Sequence, residues 1–176
     1  MRAVRPISLA LALVLAVPLG ACSGQPGPQA WAALVCTALN PWRSEIDTLT
    51  SRTQQQMTTK TTPGQAKENL ARLFDGAATA SEEARRDVER AGVPDVDKGD
   101  EIAQGFIGSL AGIRDAYGHA RNGIQALATS PAKAFYAEVS KVVERLTAEY
   151  EESSLDTKTL ESIELRQAFD SLPECQ

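Results

Sequence analysis

The amino-acid sequence predicts an all-α protein, an antiparallel bundle of four long helices plus a short C-terminal helix, closed by a disulfide. Apolar residues recur at steps of three and four along most of the chain beyond residue 28, which is helical spacing. No stretch shows the apolar–polar alternation of a half-buried strand. Short segments rich in Pro, Gly and Ser separate the periodic stretches, and short links join antiparallel neighbours in a bundle.

The first predicted helix carries Trp31, Val35 and Ile46 on one face. Pro41 falls inside this stretch, so either Asn40 caps a new helix or Pro41 kinks a continuous one. The second helix begins after Thr62 with Pro63 and a capping-box Gln65, and Gly92 ends it.

The third helix begins at or near Asp97 and carries the cleanest apolar stripe of the chain. Its members alternate by four and three, which is a heptad seam: Phe106, Leu110, Ile113, Tyr117, Ala120, Ile124 and Leu127. Ser130 and Pro131 mark the start of the fourth helix, with Ser130 as the expected N-cap. A last helical segment, 159–169, precedes Pro173.

The first residues have the layout of a secretory signal. Arg2 and Arg5 precede an unbroken apolar stretch from Ile7 to Val17, and small residues follow. The apolar stretch is shorter than the roughly 20 residues of a spanning helix. We therefore expect residues 1–21 to be a signal peptide, cleaved between Ala21 and Cys22.

The stretch Leu19-Gly20-Ala21-Cys22 resembles the lipobox of bacterial lipoproteins. The resemblance implies that the thiol of Cys22 receives a diacylglycerol and becomes the first residue of the mature chain. Two or three acyl chains hold a protein firmly to a bilayer. The expected location is therefore the extracytoplasmic face of the cell membrane, with residues 22–28 as a tether and residues 29–176 as one helical domain. In style, the chain is similar to small helical lipoproteins of high-GC Gram-positive bacteria.

The charge balance bears on the partners of the mature chain. The full chain has 18 Lys and Arg against 23 Asp and Glu, and loss of Arg2 and Arg5 leaves 16 against 23, or −7. An acidic domain gains nothing near polyanions, so we expect no nucleic acid partner. For the same reason the lipid, and not the protein surface, is expected to hold the membrane.

Two cysteines remain besides Cys22, namely Cys36 and Cys175. An exported chain meets an oxidising environment, where paired cysteines usually join. We expect a Cys36–Cys175 disulfide. Two thiolates and one histidine make a poor ligand set, so no metal and no other cofactor is expected.

Three candidate reactive motifs have simpler explanations. Ser130 to Lys133 matches S-x-x-K, but the companion motifs of that enzyme class are missing. The acidic stretch 95–101 lacks the EF-hand spacing and fits a helix-capping turn. His119 is the only histidine, with Asp115 one turn before it, which is too little for a nucleophile system. No catalytic residue is assigned, and an enzyme is not expected.

Glycines inside the third helix are the one costly feature. Each costs up to about 1 kcal/mol against alanine, and five occur there: Gly105, Gly108, Gly112, Gly118 and Gly123. Either they let another helix pack closely, or Gly105, Gly108 and Gly112 border a groove for an apolar ligand or a partner helix. The sequence thus favours a non-enzymatic interaction or structural module at the cell envelope, with an envelope protein as partner. The alternative is a carrier of an apolar small ligand.

Overall fold

A computed structural model of the protein describes residues 24–154 and 156–176. Within these residues the chain forms helices and no strand. The α-helices are α1 Pro28–Gln56, α2 Pro63–Arg90, α3 Gly99–Ala126, α4 Ala132–Ser153 and α5 Ile163–Ser171. One 3₁₀ turn, Thr157–Thr159, lies between α4 and α5, and another, Pro173–Cys175, follows α5. The predicted class, four long helices plus a short C-terminal one, is confirmed.

The two ends of α2 follow their predicted signals. The hydroxyl of Thr62 accepts a hydrogen bond from the Gln65 backbone N–H, and the Gln65 side chain accepts one from the Thr62 N–H. This capping box satisfies two backbone donors that the helix itself leaves unpaired. Gly92 lies just beyond the helix with φ of +75°, a conformation that glycine adopts without strain.

Other helix boundaries differ from the prediction or decide between alternatives. Pro41 lies inside one continuous α1, so no new helix begins at Asn40. Lys98, in the left-handed conformation, precedes α3, which begins two residues later than Asp97. Pro131, and not Ser130, is the N-cap of α4. Proline leaves no N–H unpaired at this position, but it also has no side-chain acceptor, so α4 begins without a side-chain cap.

Two apolar cores lie along the bundle. The first core joins the beginning of α1 to the end of α2, the beginning of α3, and α5. Its centre is an aromatic cluster in which the Trp31 ring lies edge-on to Phe106, with centroids 5.3 Å apart, and Phe106 stacks on Phe169 at 5.6 Å. Burial of such rings is the largest apolar contribution available to a domain of this size.

The second core lies at the other end of the bundle, where α4 takes the place of α5. Phe74 of α2 and Ile124 of α3 are its buried residues together with Ala120, and Val142 and Leu146 of α4 pack against them half-buried. Helices α2 and α3 pack along each other through both cores, α1 packs on α2, and α4 packs mainly on α3. The antiparallel α2–α3 pair is therefore the centre of the fold.

The beginning of the described chain is attached to the first core. The Asp95 backbone N–H donates to the Pro26 carbonyl at 2.9 Å, and the buried Trp31 indole N–H donates to the Gly92 carbonyl at 2.8 Å. Helix α1 begins at Pro28, one residue before the predicted start of the domain. The last residues of the predicted tether are thus held against the α2–α3 loop.

Candidate functional site

The predicted lipidation and cleavage site, Ala21 and Cys22, lies outside the described residues. The first described residues, Gly24 to Pro26, lie at the end of the bundle that holds the α2–α3 loop, because the Pro26 carbonyl accepts a hydrogen bond from the Asp95 N–H.

The predicted disulfide is present. Cys36, buried on α1, is bonded to Cys175 in the C-terminal 3₁₀ turn, with Cα atoms 5.1 Å apart. The two residues are 139 positions apart in the sequence, so the bond closes nearly the whole described chain into one loop. It holds α5 and the C-terminus on α1, where Leu165 and Phe169 complete the first core.

Two of the α3 glycines serve close packing against α4. A Cβ added at Gly112 would lie 2.8 Å from the Ser153 Cβ and closer still to the Ser153 Oγ. A Cβ added at Gly123 would lie 3.1 Å from a Val142 methyl group. The expected explanation by helix packing therefore holds at these two positions.

The candidate groove at Gly105, Gly108 and Gly112 is only partly open. Ser153 fills the space at Gly112, whereas a Cβ added at Gly108 would meet no atom within 4 Å. Gly105 is half-buried and Gly108 is exposed. Gly108 thus borders solvent, and Gly112 belongs to the α3–α4 contact.

A pocket of about 260 Å³ lies farther along the same pair of helices. Small residues of α3 and apolar residues of α4 form its floor, and charged residues form its rim: Ala116, Ala120, Gly123, Val142 and Leu146 below, and His119, Glu138, Lys141, Arg145 and Glu149 around them. No sequence pattern predicted this pocket. Its only signal was three small residues of α3 at steps of four and three, which a close helix contact explains equally well.

Charges on the pocket rim are mostly paired. His119 Nδ1 lies 2.9 Å from Glu149 Oε2, and the Lys141 ammonium donates to Glu138 at 2.7 Å, which raises the pKa of Lys141. Arg145 makes no ion pair with any described residue. Asp115, the residue one turn before His119, pairs with Arg114 at 2.7 Å instead. The pocket therefore offers one guanidinium beside an apolar floor.

A row of aromatic rings crosses the second core beside this pocket. Phe74 stacks on Tyr117 with ring centroids 6.5 Å apart, and Tyr117 meets Tyr150 edge-on at 6.2 Å. Burial raises the pKa of Tyr117 to about 12, and the nearby Tyr150 phenol adds to the shift. Burial also raises the pKa of Tyr150. Both phenols therefore stay neutral at physiological pH and act as packing groups.

The strongest electrostatic group is a carboxylate between α2 and α3. Glu82 accepts hydrogen bonds from Arg85 at 2.9 and 3.0 Å, from Arg86 at 2.9 Å and from Arg114 at 2.8 Å. These guanidinium donors, with Arg85 contributing most, hold the pKa of Glu82 well below its ordinary value. Only Arg114 comes from α3, so this group joins the two central helices and its role is structural.

The remaining candidate motifs do not assemble into reactive sites. Ser130 and Lys133 are both exposed at the start of α4. In the acidic turn, Lys98 pairs with Glu161 at 2.6 Å. Among residues 24–154 and 156–176, no group of three or more His, Cys, Asp or Glu side chains has the arrangement to hold a metal ion. Over the same residues, no helix combines the length and the apolar character needed to cross a bilayer.

Comparisons with known proteins do not add a relative. No family model, no curated protein and no solved structure matches this chain.

Proposed function

We propose that the protein is a lipid-anchored extracytoplasmic helical domain that acts as a non-enzymatic interaction or structural module at the cell envelope. The observation that carries the proposal is the lipobox-like stretch from Leu19 to Cys22 behind a positively charged, apolar leader. The fold supports it, because Pro26, four residues after Cys22, is held against the α2–α3 loop by the hydrogen bond from Asp95. Four extended residues reach roughly 13 Å, so an anchor at Cys22 would lie near that end of the bundle.

The outer face of α4 supports the interaction role. Helix α4 packs on one side only, and Phe135 is its single buried residue among those described. Tyr136 and Val143, two turns apart on the outer side, are each 41 % exposed. The Ser140 hydroxyl, between these two residues, donates to the Tyr136 carbonyl at 3.2 Å, and the Thr147 hydroxyl, one turn beyond, donates to the Val143 carbonyl at 3.0 Å. Tyr136, Ser140, Val143 and Thr147 therefore form an uncharged strip whose Ser and Thr hydroxyls are paired within the helix, as the centre of a protein contact requires.

A carrier of an apolar ligand is the second candidate, and the pocket between α3 and α4 is the observation that favours it. The ligand would lie on Ala120, Val142 and Leu146, with an acidic headgroup at Arg145. The volume of about 260 Å³ is slightly below the roughly 300–1,000 Å³ of most small-molecule sites. We therefore rank the carrier below the interaction module.

The anchor is tested by Cys22→Ala in the full-length chain. We expect the variant to leave the membrane fraction or to accumulate as uncleaved precursor, because the thiol is the acceptor of the lipid. Ser23→Ala is the matched control and should fractionate and mature as the wild type does. Intact mass of the membrane-extracted wild type should show cleavage before Cys22 and an added lipid. A Cys22→Ala protein that matures and fractionates normally would refute the anchor.

The interaction module and the carrier are separated by native mass spectrometry of the lipidated protein, extracted gently from its own membranes. A mass that carries only the anchor, or one increased by a whole protein, supports the interaction module. A reproducible added mass of small-molecule size that disappears in Arg145→Gln would support the carrier instead. Lys158→Gln, a charge change away from the pocket, is the control for that loss.

A further inference from the structure

The two ends of the bundle differ strongly in charge. Cutting each long helix near its middle leaves residues 24–42, 77–112 and 143–176 in the half that holds the start of α1. This half has 7 basic and 17 acidic residues, a net charge of −10. The other half, residues 43–76 and 113–142, has 9 basic and 6 acidic residues, a net charge of +3. The overall acidity of the domain therefore belongs to one half only.

The positive charge is concentrated at the far end, in residues 50–72 and 119–137, which we call the basic end. It holds six Lys and Arg residues and a single acidic residue, Glu68. The two segments belong to one surface, because the Lys67 ammonium donates to the Leu127 carbonyl at 2.7 Å. The fold thus places at one end of the bundle cations that are far apart in the sequence, such as Lys60 and Lys133.

Three cations of the basic end are available to a partner. Arg52, Lys60 and Lys133 are exposed and make no ion pair with another described residue. Lys60 also lines an open pocket of about 470 Å³ at the α1–α2 corner, whose walls are polar: Gln56, Thr58, Thr61, Gln65, Glu68, Asn69 and Arg72. Ammonium, guanidinium, amide and hydroxyl groups are the donors that phosphate oxygens take.

We propose that the basic end is a docking surface for a phosphate-bearing polyanionic chain. Charge complementarity selects the class of partner. Among the described residues of the basic end, Tyr136 is the one exposed large apolar side chain, and the α1–α2 corner has none, so this end lacks the cluster of apolar anchors of a typical protein contact. A charged polymer needs no such anchors, because its binding comes from neutralised phosphates and released counterions.

The inference takes from the proposed function only the position of the anchor. With the anchor at Cys22, the tether holds the half that contains the start of α1 next to the bilayer, and the basic end lies about one helix length, roughly 40 Å, farther out. At that distance the attraction of an anionic surface for the basic end is screened by salt. The polymer would therefore bind on the side facing away from the bilayer. Binding in solution does not require the lipid, so a failure of the anchor and a failure of the docking surface give different results.

The test measures binding of long-chain inorganic polyphosphate to the full-length protein in neutral detergent micelles across a salt series. The wild type should bind with an affinity that falls linearly on a log–log plot against salt. The triple variant Arg52→Gln, Lys60→Gln and Lys133→Gln should show a slope shallower by about 2, since each lost contact on a single-stranded polyanion removes roughly 0.7. Circular dichroism checks that the variant keeps its helices.

The matched control removes the same charge from the acidic half, with Arg90→Gln, Lys98→Gln and Lys158→Gln, all exposed and outside the pocket at Arg145. It should leave the slope unchanged, because none of its three residues lies in the basic end. Both triple variants lose the same net charge, so a difference between their slopes reports lost contacts and not general repulsion. Equal slopes for the two variants would overturn the proposal. The proposal would also be overturned if polyglutamate of the same chain length bound as tightly as polyphosphate. It would be overturned as well if anionic vesicles bound the basic end as strongly as the polymer does.

Discussion

Replacement of glycines by alanine along α3 tests the assignment of the α3–α4 contact. The same substitution is available at three positions of one helix whose surroundings differ. Gly108→Ala and Gly118→Ala place a methyl group with no atom within 4 Å. Gly112→Ala places it 2.8 Å from the Ser153 Cβ and closer still to the Ser153 Oγ, so α3 and α4 must separate slightly.

The magnitudes follow from two opposing contributions to the free energy of unfolding. Alanine in place of glycine inside a helix stabilises by up to about 1 kcal/mol. Overpacking of a close contact costs about 1–3 kcal/mol. We therefore expect Gly108→Ala and Gly118→Ala to stabilise the protein by roughly 0.5–1 kcal/mol. Gly112→Ala should be neutral or destabilising by up to about 2 kcal/mol.

Urea unfolding followed by circular dichroism measures these differences. A change of 1 kcal/mol also moves the melting temperature of a protein of this size by about 2–4 °C. A Ser153→Gly background removes the two atoms that lie closest to the methyl group at residue 112 and leaves the residue 153 Cα at 3.8 Å, an ordinary contact distance, so Gly112→Ala should then stabilise as at the other two sites. Equal stabilisation by Gly112→Ala in the wild-type background would refute the contact.

Three further results are expected. Replacing Cys36 and Cys175 together by alanine should lower the free energy of unfolding by up to about 5 kcal/mol, the chain-entropy figure for a loop of this length, and reducing agent should then have no further effect; an unchanged urea midpoint would contradict this. Glu82→Gln should cost about 1.5–3 kcal/mol at neutral pH. Because the pKa of Glu82 lies below its ordinary value of 4.5 when folded, its contribution is complete above that value and is lost as pH falls toward the folded pKa, so the two proteins should converge in acid; a constant difference down to low pH would argue against the ion pairs. Trp31→Phe should cost about 1–3 kcal/mol, since the Gly92 carbonyl loses its indole donor, and no loss in urea unfolding would show that water replaces that donor.

Local patterns predicted the fold well where one residue type decides the backbone. The Thr62 capping box and the end of α2 at Gly92 are formed as expected, because a hydroxyl acceptor and a positive φ depend on near neighbours only. Pro41 is the opposite case. The sequence left a kinked helix and a helix break open, and packing of both halves of α1 on α2 keeps the helix continuous.

Predictions about function were limited by distance along the chain. The disulfide could be predicted because only two cysteines, Cys36 and Cys175, remained once Cys22 was assigned to the lipid. The pocket at Arg145 was not, because its walls come from two helices and no residue in them is unusual for its own helix. The difference in charge between the two ends could not be predicted for the same reason, because the net charge averages over both ends. Only the antiparallel arrangement places Lys60 and Lys133 at the same end of the bundle, opposite the acidic α2–α3 loop.

The Cys36–Cys175 bond also changes what proteolysis does to this protein. Every loop between the long helices lies inside the closed ring, so a single cut there breaks the chain without releasing a fragment. A molecule cut once would therefore have the mass of the intact protein plus one water until the disulfide is reduced. The two cores would keep the helices of both pieces packed against each other. The crosslink therefore keeps the damage from a single proteolytic cut local.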